Sequence, residues 1–296
     1  MLLLLAVCAG AQTTTPYDLA RFLSSHKETE WKSMWKAWGI PKADIPGCDS
    51  PGSCTVDLVT LSAPPQAIIV IQSLPSDYYL RFRNVGPNWR YAASTSTFNK
   101  NFGRRYEIAQ IAGTPFLKIS SQGANGSNWD SEIESWFDLS SKKFEPVFAF
   151  TPQGNEFRTG FGVCRDIRAF ASEGMEGTIE LDIEIRFSLL RKIDLGFARY
   201  KAHYERAGNE AEFKRIRITP AGGSARPVSK DDFEKLVNIE TEDGPSESQL
   251  VEFAMPRLRE IASGPDTEDR QSLKEGIEYW EDSPAKRELL ALIARH

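Results

Sequence analysis

Between Thr178 and Phe187 apolar and polar residues alternate without a break: Ile179, Leu181, Ile183, Ile185 and Phe187 against Glu180, Asp182, Glu184 and Arg186. Successive side chains of a strand point to opposite faces, so this stretch predicts an antiparallel strand with one face in a core and the other in water. Asp194 to Arg206 continues the pattern, with Phe197, Arg199, Lys201 and His203 on one side and Ala198, Tyr200, Ala202 and Tyr204 on the other. A turn at Ala207-Gly208-Asn209-Glu210 leads to a further strand over Ala211 to Thr219. Upstream, the pattern predicts strands over Ala67–Leu74, Tyr78–Val85, Trp89–Thr97, Tyr106–Ile111, Phe116–Ser121, Ser131–Leu139 and Phe144–Phe150, separated by turn-forming residues. About ten short antiparallel strands between residues 56 and 220 predict a sandwich or a curved meander. No copy of the pattern recurs at a fixed period, which argues against a propeller.

The two ends of the chain follow the helical period. Trp31, Met34, Trp35 and Trp38 fall at i, i+3, i+4 and i+7, so one helix is expected from Pro16 to Trp38, ended by Gly39 and Pro41. Residues 221–228 read as a linker. Beyond it, Ser229, Ser246, Asp266 and Ser283 each precede an apolar pattern and are candidate N-caps, and Pro256 interrupts the second helix. Short links predict a helical bundle over residues 229–296. The expected fold is α+β: an N-terminal helix and loop (residues 12–55), an antiparallel β domain (56–220) and a C-terminal bundle (229–296).

The first residues change the expected compartment. Leu2 to Val7 form an apolar run, and Ala9-Gly10-Ala11 supplies the small residues that signal peptidase requires before a cut ahead of Gln12. The whole apolar and small-residue stretch from Met1 to Ala11 is eleven residues, short of the about 20 that a membrane-spanning helix needs. Residues 1–11 therefore read as a removable leader, which places the protein outside the cytoplasm, secreted or periplasmic. Leu5-Ala6-Val7-Cys8 admits a lipid anchor as the alternative, although Val7 is bulky for that role.

Charge sharpens the picture of partners. Residues 229–296 hold 9 Lys/Arg against 17 Asp/Glu, a net of −8, which leaves +3 on the remainder of a chain with a formal net of −5. That balance excludes non-specific nucleic-acid binding as the main activity. It also makes the terminal helices a candidate docking surface, with solvated helix faces as the plainer explanation.

In an oxidising compartment Cys48 and Cys54, spanning Asp49-Ser50-Pro51-Gly52-Ser53, are expected to form a disulfide, and Cys164 to be an inert core thiol. No Gly-Xaa-Ser-Xaa-Gly elbow, phosphate-binding loop or His-Glu-Xaa-Xaa-His sequence occurs. The polar loop from Gln122 to Glu132 offers Asn125, Asn128, Asp130 and Glu132 as oxygen ligands for calcium, the one cofactor the sequence raises. Trp129, Trp89 and Tyr91 with Arg81 and Arg83 make a candidate ligand-binding region, since aromatic faces beside polar groups grip sugars. Glu132, Glu134 and Asp138, expected on one strand face, are candidate acid and base for glycoside hydrolysis. The reading these features favour is a non-enzymatic binding module of the cell envelope or extracellular space, its partner a carbohydrate or another envelope protein. An extracytoplasmic polysaccharide hydrolase and a structural subunit docking through its acidic helices are the alternatives.

Overall fold

The computed structural model describes residues 15–47, 54–62, 65–86, 88–99, 105–126, 129–158, 162–174, 177–206, 212–225, 227–237 and 247–295. The leader segment, Cys48 with its expected bridge to Cys54, Asn128 and the expected cap Ser246 lie outside these residues. The fold is α+β. The chain divides into two compact units, residues 1–104 with 139–145, and residues 105–138 with 146–296.

The first unit packs two helices, α1 (Pro16–Ser25) and α2 (Trp31–Ala37), on a four-stranded antiparallel sheet of β1 (Thr55–Ser62), β2 (Pro65–Gln72), β3 (Ser76–Val85) and β4 (Asn88–Phe98), in that order. Leu19, Leu23, Trp31 and Trp35 meet Ile69, Ile71, Leu80 and Phe82 in its core. The expected continuous helix from Pro16 to Trp38 is broken at His26, where the backbone turns extended (φ −119°, ψ 155°). Two local competitors explain the break: Ser24 and Ser25 donate their hydroxyls back to the Ala20 and Arg21 carbonyls, and the His26 ring stacks on Phe22 at 3.9 Å. The break lets Trp31 and Trp35 both reach the core, their rings edge to face at 5.8 Å.

The other face of this sheet carries a buried cation. Arg81, fully buried, donates to Gln66 Oε1 (2.9 Å) and to the carbonyls of Leu139, Ser141 (3.0 Å) and Lys143 (3.4 Å), with Phe144 5.5 Å from its guanidinium carbon. Gln66 donates in turn to the Leu139 carbonyl (2.9 Å). A buried guanidinium needs this many acceptors, because isolated burial of a charge is prohibitive.

The second unit is a nine-stranded antiparallel sheet: β5 (Tyr106–Ile111), β6 (Thr114–Asn125), β7 (Trp129–Asp138), β8 (Pro146–Phe150), β9 (Gln153–Arg158), β10 (Val163–Glu173), β11 (Ile179–Leu189), β12 (Ile193–Arg206) and β13 (Phe213–Gly223). Its order is β13-β12-β11-β10-β9-β7-β6-β5, with β8 paired to β7. Strands expected as a single β domain thus form two sheets. The alternation in β11 is as the sequence predicts: Ile179, Leu181, Ile183, Ile185 and Phe187 are buried. Their polar neighbours are matched from β12, with Glu184 bonded to Arg199 (2.6 Å) and Asp182 to Lys201 (3.4 Å). The expected linker begins later than residue 221, because β13 runs to Gly223, whose φ of +65° and closeness to the Phe197 carbonyl (2.1 Å from an added Cβ) admit only glycine.

Helices α3 (Lys230–Val237), α4 (Glu247–Ser263), α5 (Thr267–Glu278) and α6 (Pro284–Ile293) pack on the apolar side of β11 and β12. The expected caps form at Ser229 (Asp232 N, 3.1 Å), Asp266 (Asp269 N, 3.0 Å) and Ser283 (Lys286 N, 3.2 Å). Pro256 lies inside α4. Leu250, Leu258, Ile261, Leu273, Ile277, Trp280 and Leu289 are buried among sheet side chains, so the acidic helices spend their apolar faces on this unit's own core. Each large side chain so buried contributes about 1.5–3 kcal/mol.

Candidate functional site

The polar side of the nine-stranded sheet is concave across β7, β9, β10 and β11. Register builds the concavity: Asp130 is opposite Asn155, Asn155 opposite Asp166, and Asp166 opposite Arg186. Neighbouring strands lie about 4.8 Å apart, so this row of four side chains spans about 14 Å. A second row sets Gln153 opposite Arg168 and Arg168 opposite Glu184. Together with Glu132, the residues of these rows other than Glu184 line a cavity of about 350 Å³. A second cavity of about 350 Å³, lined by Asn155, Cys164, Asp166, Ser188 and Arg191, shares Asn155 and Asp166 with the first. One polar trough therefore follows β9 and β10.

Asp130, Asp166, Arg168 and Arg186 are exposed, while Glu132 and Asn155 are half-buried. Glu184 borders the trough and is held below the ordinary carboxylate range by hydrogen bonds from Arg186 (2.6 Å) and Arg199 (2.6 Å). Cys164 is a buried free thiol.

The hairpin joining β11 to β12 carries Arg191 to the far end of the trough. Leu190 (φ +51°) and Arg191 (φ +59°) both occupy the left-handed region, closed by Lys192 N to the Leu189 carbonyl at 3.0 Å. Left-handed backbone costs a non-glycine residue about 1–2 kcal/mol. The Arg191 guanidinium carbon lies 5.6 Å from the Phe157 ring. Both central positions of a tight hairpin turn of this type take the left-handed conformation, so the turn itself requires it.

The candidate carboxylates do not share a site. Glu132 lines the trough and lies 3.9 Å from Arg105. Glu134 accepts from the Trp136 indole at 2.6 Å, and Asp138, 5% exposed, is paired with Arg206 at 2.8 Å. The β6–β7 register is unbroken from Phe116 opposite Asp138 to Gln122 opposite Glu132, so the three carboxylates do keep the expected common face of β7, but each is engaged by a different partner.

The expected aromatic and basic region separates in the same way. Trp89 and Tyr91 join the helix-side core of the first unit, where the Tyr91 hydroxyl donates to Asp44 (2.7 Å). Phe82 is opposite Tyr91 and Asn84 opposite Trp89, so Arg81 and Arg83 lie on the other face of the pleat. Arg81 is committed to Gln66 and three carbonyls, and Arg83 donates to the Ser141 carbonyl. Trp129 belongs to the second unit and packs against that unit's main core cluster.

Among the described residues no group of three or more His, Cys, Asp or Glu is placed to hold a metal ion. Of the four expected calcium ligands Asp130 and Glu132 line the trough, whereas Asn128 and the Asn125 side chain lie outside what is described. No helix among the described residues is long and apolar enough to cross a membrane.

Asp166, Arg168, Gln153, Asn155 and Arg186 were not legible as site residues in the sequence. β9 and β10 show no clean alternation, because Val163, Cys164 and Arg165 are buried in succession. The available signal was Asp166-Ile167-Arg168-Ala169, a short polar–apolar alternation whose polar members point into the trough.

The chain matches no protein-family model and no curated protein.

Proposed function

We propose that this chain is an exported, non-enzymatic binding protein that takes a carbohydrate in the polar trough of its nine-stranded sheet. The observation carrying this reading is the trough's lining: Asp130, Glu132 and Asp166 alternate with Arg168, Arg186, Gln153 and Asn155 in adjoining register rows. Each sugar hydroxyl both donates and accepts, so a surface alternating acceptors with donors matches a polyol, and its nearly balanced charge does not select an ion. Carboxylates that face water are poor candidates for a general acid, which is ordinarily held in a desolvated pocket. Docking through the acidic helices is disfavoured by the burial of their apolar faces in their own unit.

Calorimetric titration with soluble envelope polysaccharide fragments tests the reading. The Asp166→Ala/Arg168→Ala double variant, altered only at exposed positions, is expected to bind at least about tenfold more weakly, the loss of about 1.4 kcal/mol that one or two hydrogen bonds supply, with an unchanged melting temperature. Absence of glycan binding, or binding indifferent to the double variant, would overturn it. Export rests on the apolar run and on Ala9-Gly10-Ala11. Intact-mass analysis of exported protein is expected to give a chain beginning at Gln12, and a mass retaining the leader would refute this.

A further inference from the structure

On the apolar side of the same sheet the second unit contains another cavity, of about 400 Å³. It lies where two core clusters adjoin: Phe150, Ala171 and Tyr204 flank both the cluster under the helices and the aromatic cluster of Phe116, Trp136 and Phe148. Its floor is apolar, formed by Ile167 of β10 and Leu181 and Ile183 of β11. The space exists because β10 presents alanine here: Ala169 is the cross-strand neighbour of Ile183, and Ala171 that of Leu181.

One end of the cavity is polar. Arg215 of β13 and Tyr204 of β12 line it together with Glu234 of α3. The Arg215 side chain is only 7% exposed, its guanidinium carbon 4.8 Å from the Phe233 ring and 6.0 Å from the Tyr204 ring. It donates to Glu234 at 2.6 Å, but the Glu234 side chain is 55% exposed. Burial raises the Tyr204 hydroxyl above its ordinary pKa, against the pull of Arg215, so it stays protonated at neutral pH. A buried guanidinium and a phenol thus converge at one end of an apolar hollow of ligand size, and the carboxylate on the guanidinium comes from a side chain that solvent can accommodate elsewhere.

We propose that this cavity is a second binding site, for a monocarboxylate with an apolar chain, whose carboxylate takes the place of Glu234 on Arg215. Its chain lies along Ile167, Leu181 and Ile183. Glu234 occupies the head-group position when the site is empty and turns into water when it fills.

Calorimetric titration of the full chain with hexanoate, octanoate and decanoate tests this. Each added methylene is expected to tighten binding by about fourfold, the factor that transfer of one CH₂ from water supplies. Arg215→Gln is expected to weaken octanoate at least about tenfold, in line with loss of a charge-assisted hydrogen bond. Ala169→Phe, which fills the hollow, abolishes binding, and Glu234→Gln, which removes the internal competitor, tightens it. Melting curves confirm that each variant is folded, and Asp166→Ala/Arg168→Ala leaves octanoate binding unchanged, which separates this site from the trough. The proposal is overturned if no carboxylate of the series gives saturable heat, if affinity is flat across the series, or if folded Arg215→Gln and Ala169→Phe bind like the parent. Weaker binding by Glu234→Gln would overturn the displacement.

Discussion

Replacing Trp280 by alanine is expected to destabilise the second unit by about 3–5 kcal/mol, the cost of removing a large aromatic from a packed core. Trp280 is 2% exposed and belongs to the cluster that joins the helices to β11 and β12. Its backbone ties the end of α5 to the start of α6: its N–H donates to the Ile277 carbonyl (3.1 Å), and its carbonyl accepts from Lys286 Nζ (2.5 Å). Those links survive the substitution, so the loss reports the indole alone. Denaturant unfolding followed by circular dichroism measures it, and at about 2–4 °C per kcal/mol the melting temperature should fall by roughly 10 °C. A variant that melts with its parent would show that the terminal helices are not anchored through this residue.

The second large effect is expected at Arg165. Its side chain is 0% exposed and pairs at 2.5 Å with Glu156, itself 2% exposed. The second terminal nitrogen donates to the carbonyls of Lys235 (3.0 Å) and Leu236 (2.6 Å) at the end of α3. A cation at a helix C-terminus complements the helix dipole as well as the unpaired carbonyls. Arg165→Met leaves Glu156 charged and buried without its principal partner, and removal of one member of such a pair costs about 3–5 kcal/mol. The Arg165→Met/Glu156→Met double variant should cost markedly less than the sum of the single variants, because it removes the stranded charge. Additive losses in denaturant unfolding would mean that the pair is not energetically coupled.

What the sequence made legible follows from period and capping. In β11 every second residue is apolar, so strand, face and cross-strand charge matching could all be read in advance. Ser229, Asp266 and Ser283 were readable as caps because the bonds they make are three residues or fewer away. Legibility failed where a long-range partner overrode the local pattern. Arg165 sits in a core because Glu156 and the end of α3 receive it, and none of these is implied by the residues around it. The pleat likewise separated Trp89 and Tyr91 from Arg81 and Arg83, although they are close in sequence, because β3 and β4 pair so that the aromatics share a side with Phe82. The trough was half visible. Asp130 and Glu132 stood out in a polar loop, while Asp166, Arg168 and Arg186 became their neighbours only through register.

The position of Arg81 has a consequence for the order in which the chain can mature. Three carbonyl acceptors of its guanidinium arrive from residues 58, 60 and 62 places later, in the Leu139–Lys143 stretch that follows β7. During synthesis, β1 to β4 have therefore emerged well before the groups that allow Arg81 to be withdrawn from water. The first unit is discontinuous along the chain, and its final piece is delivered only after β5, β6 and β7 have been made. Closing a loop of that length costs entropy before any contact rewards it, so the first sheet, whose strands end at Phe98, cannot seal Arg81 until Lys143 has been made, just before β8 begins.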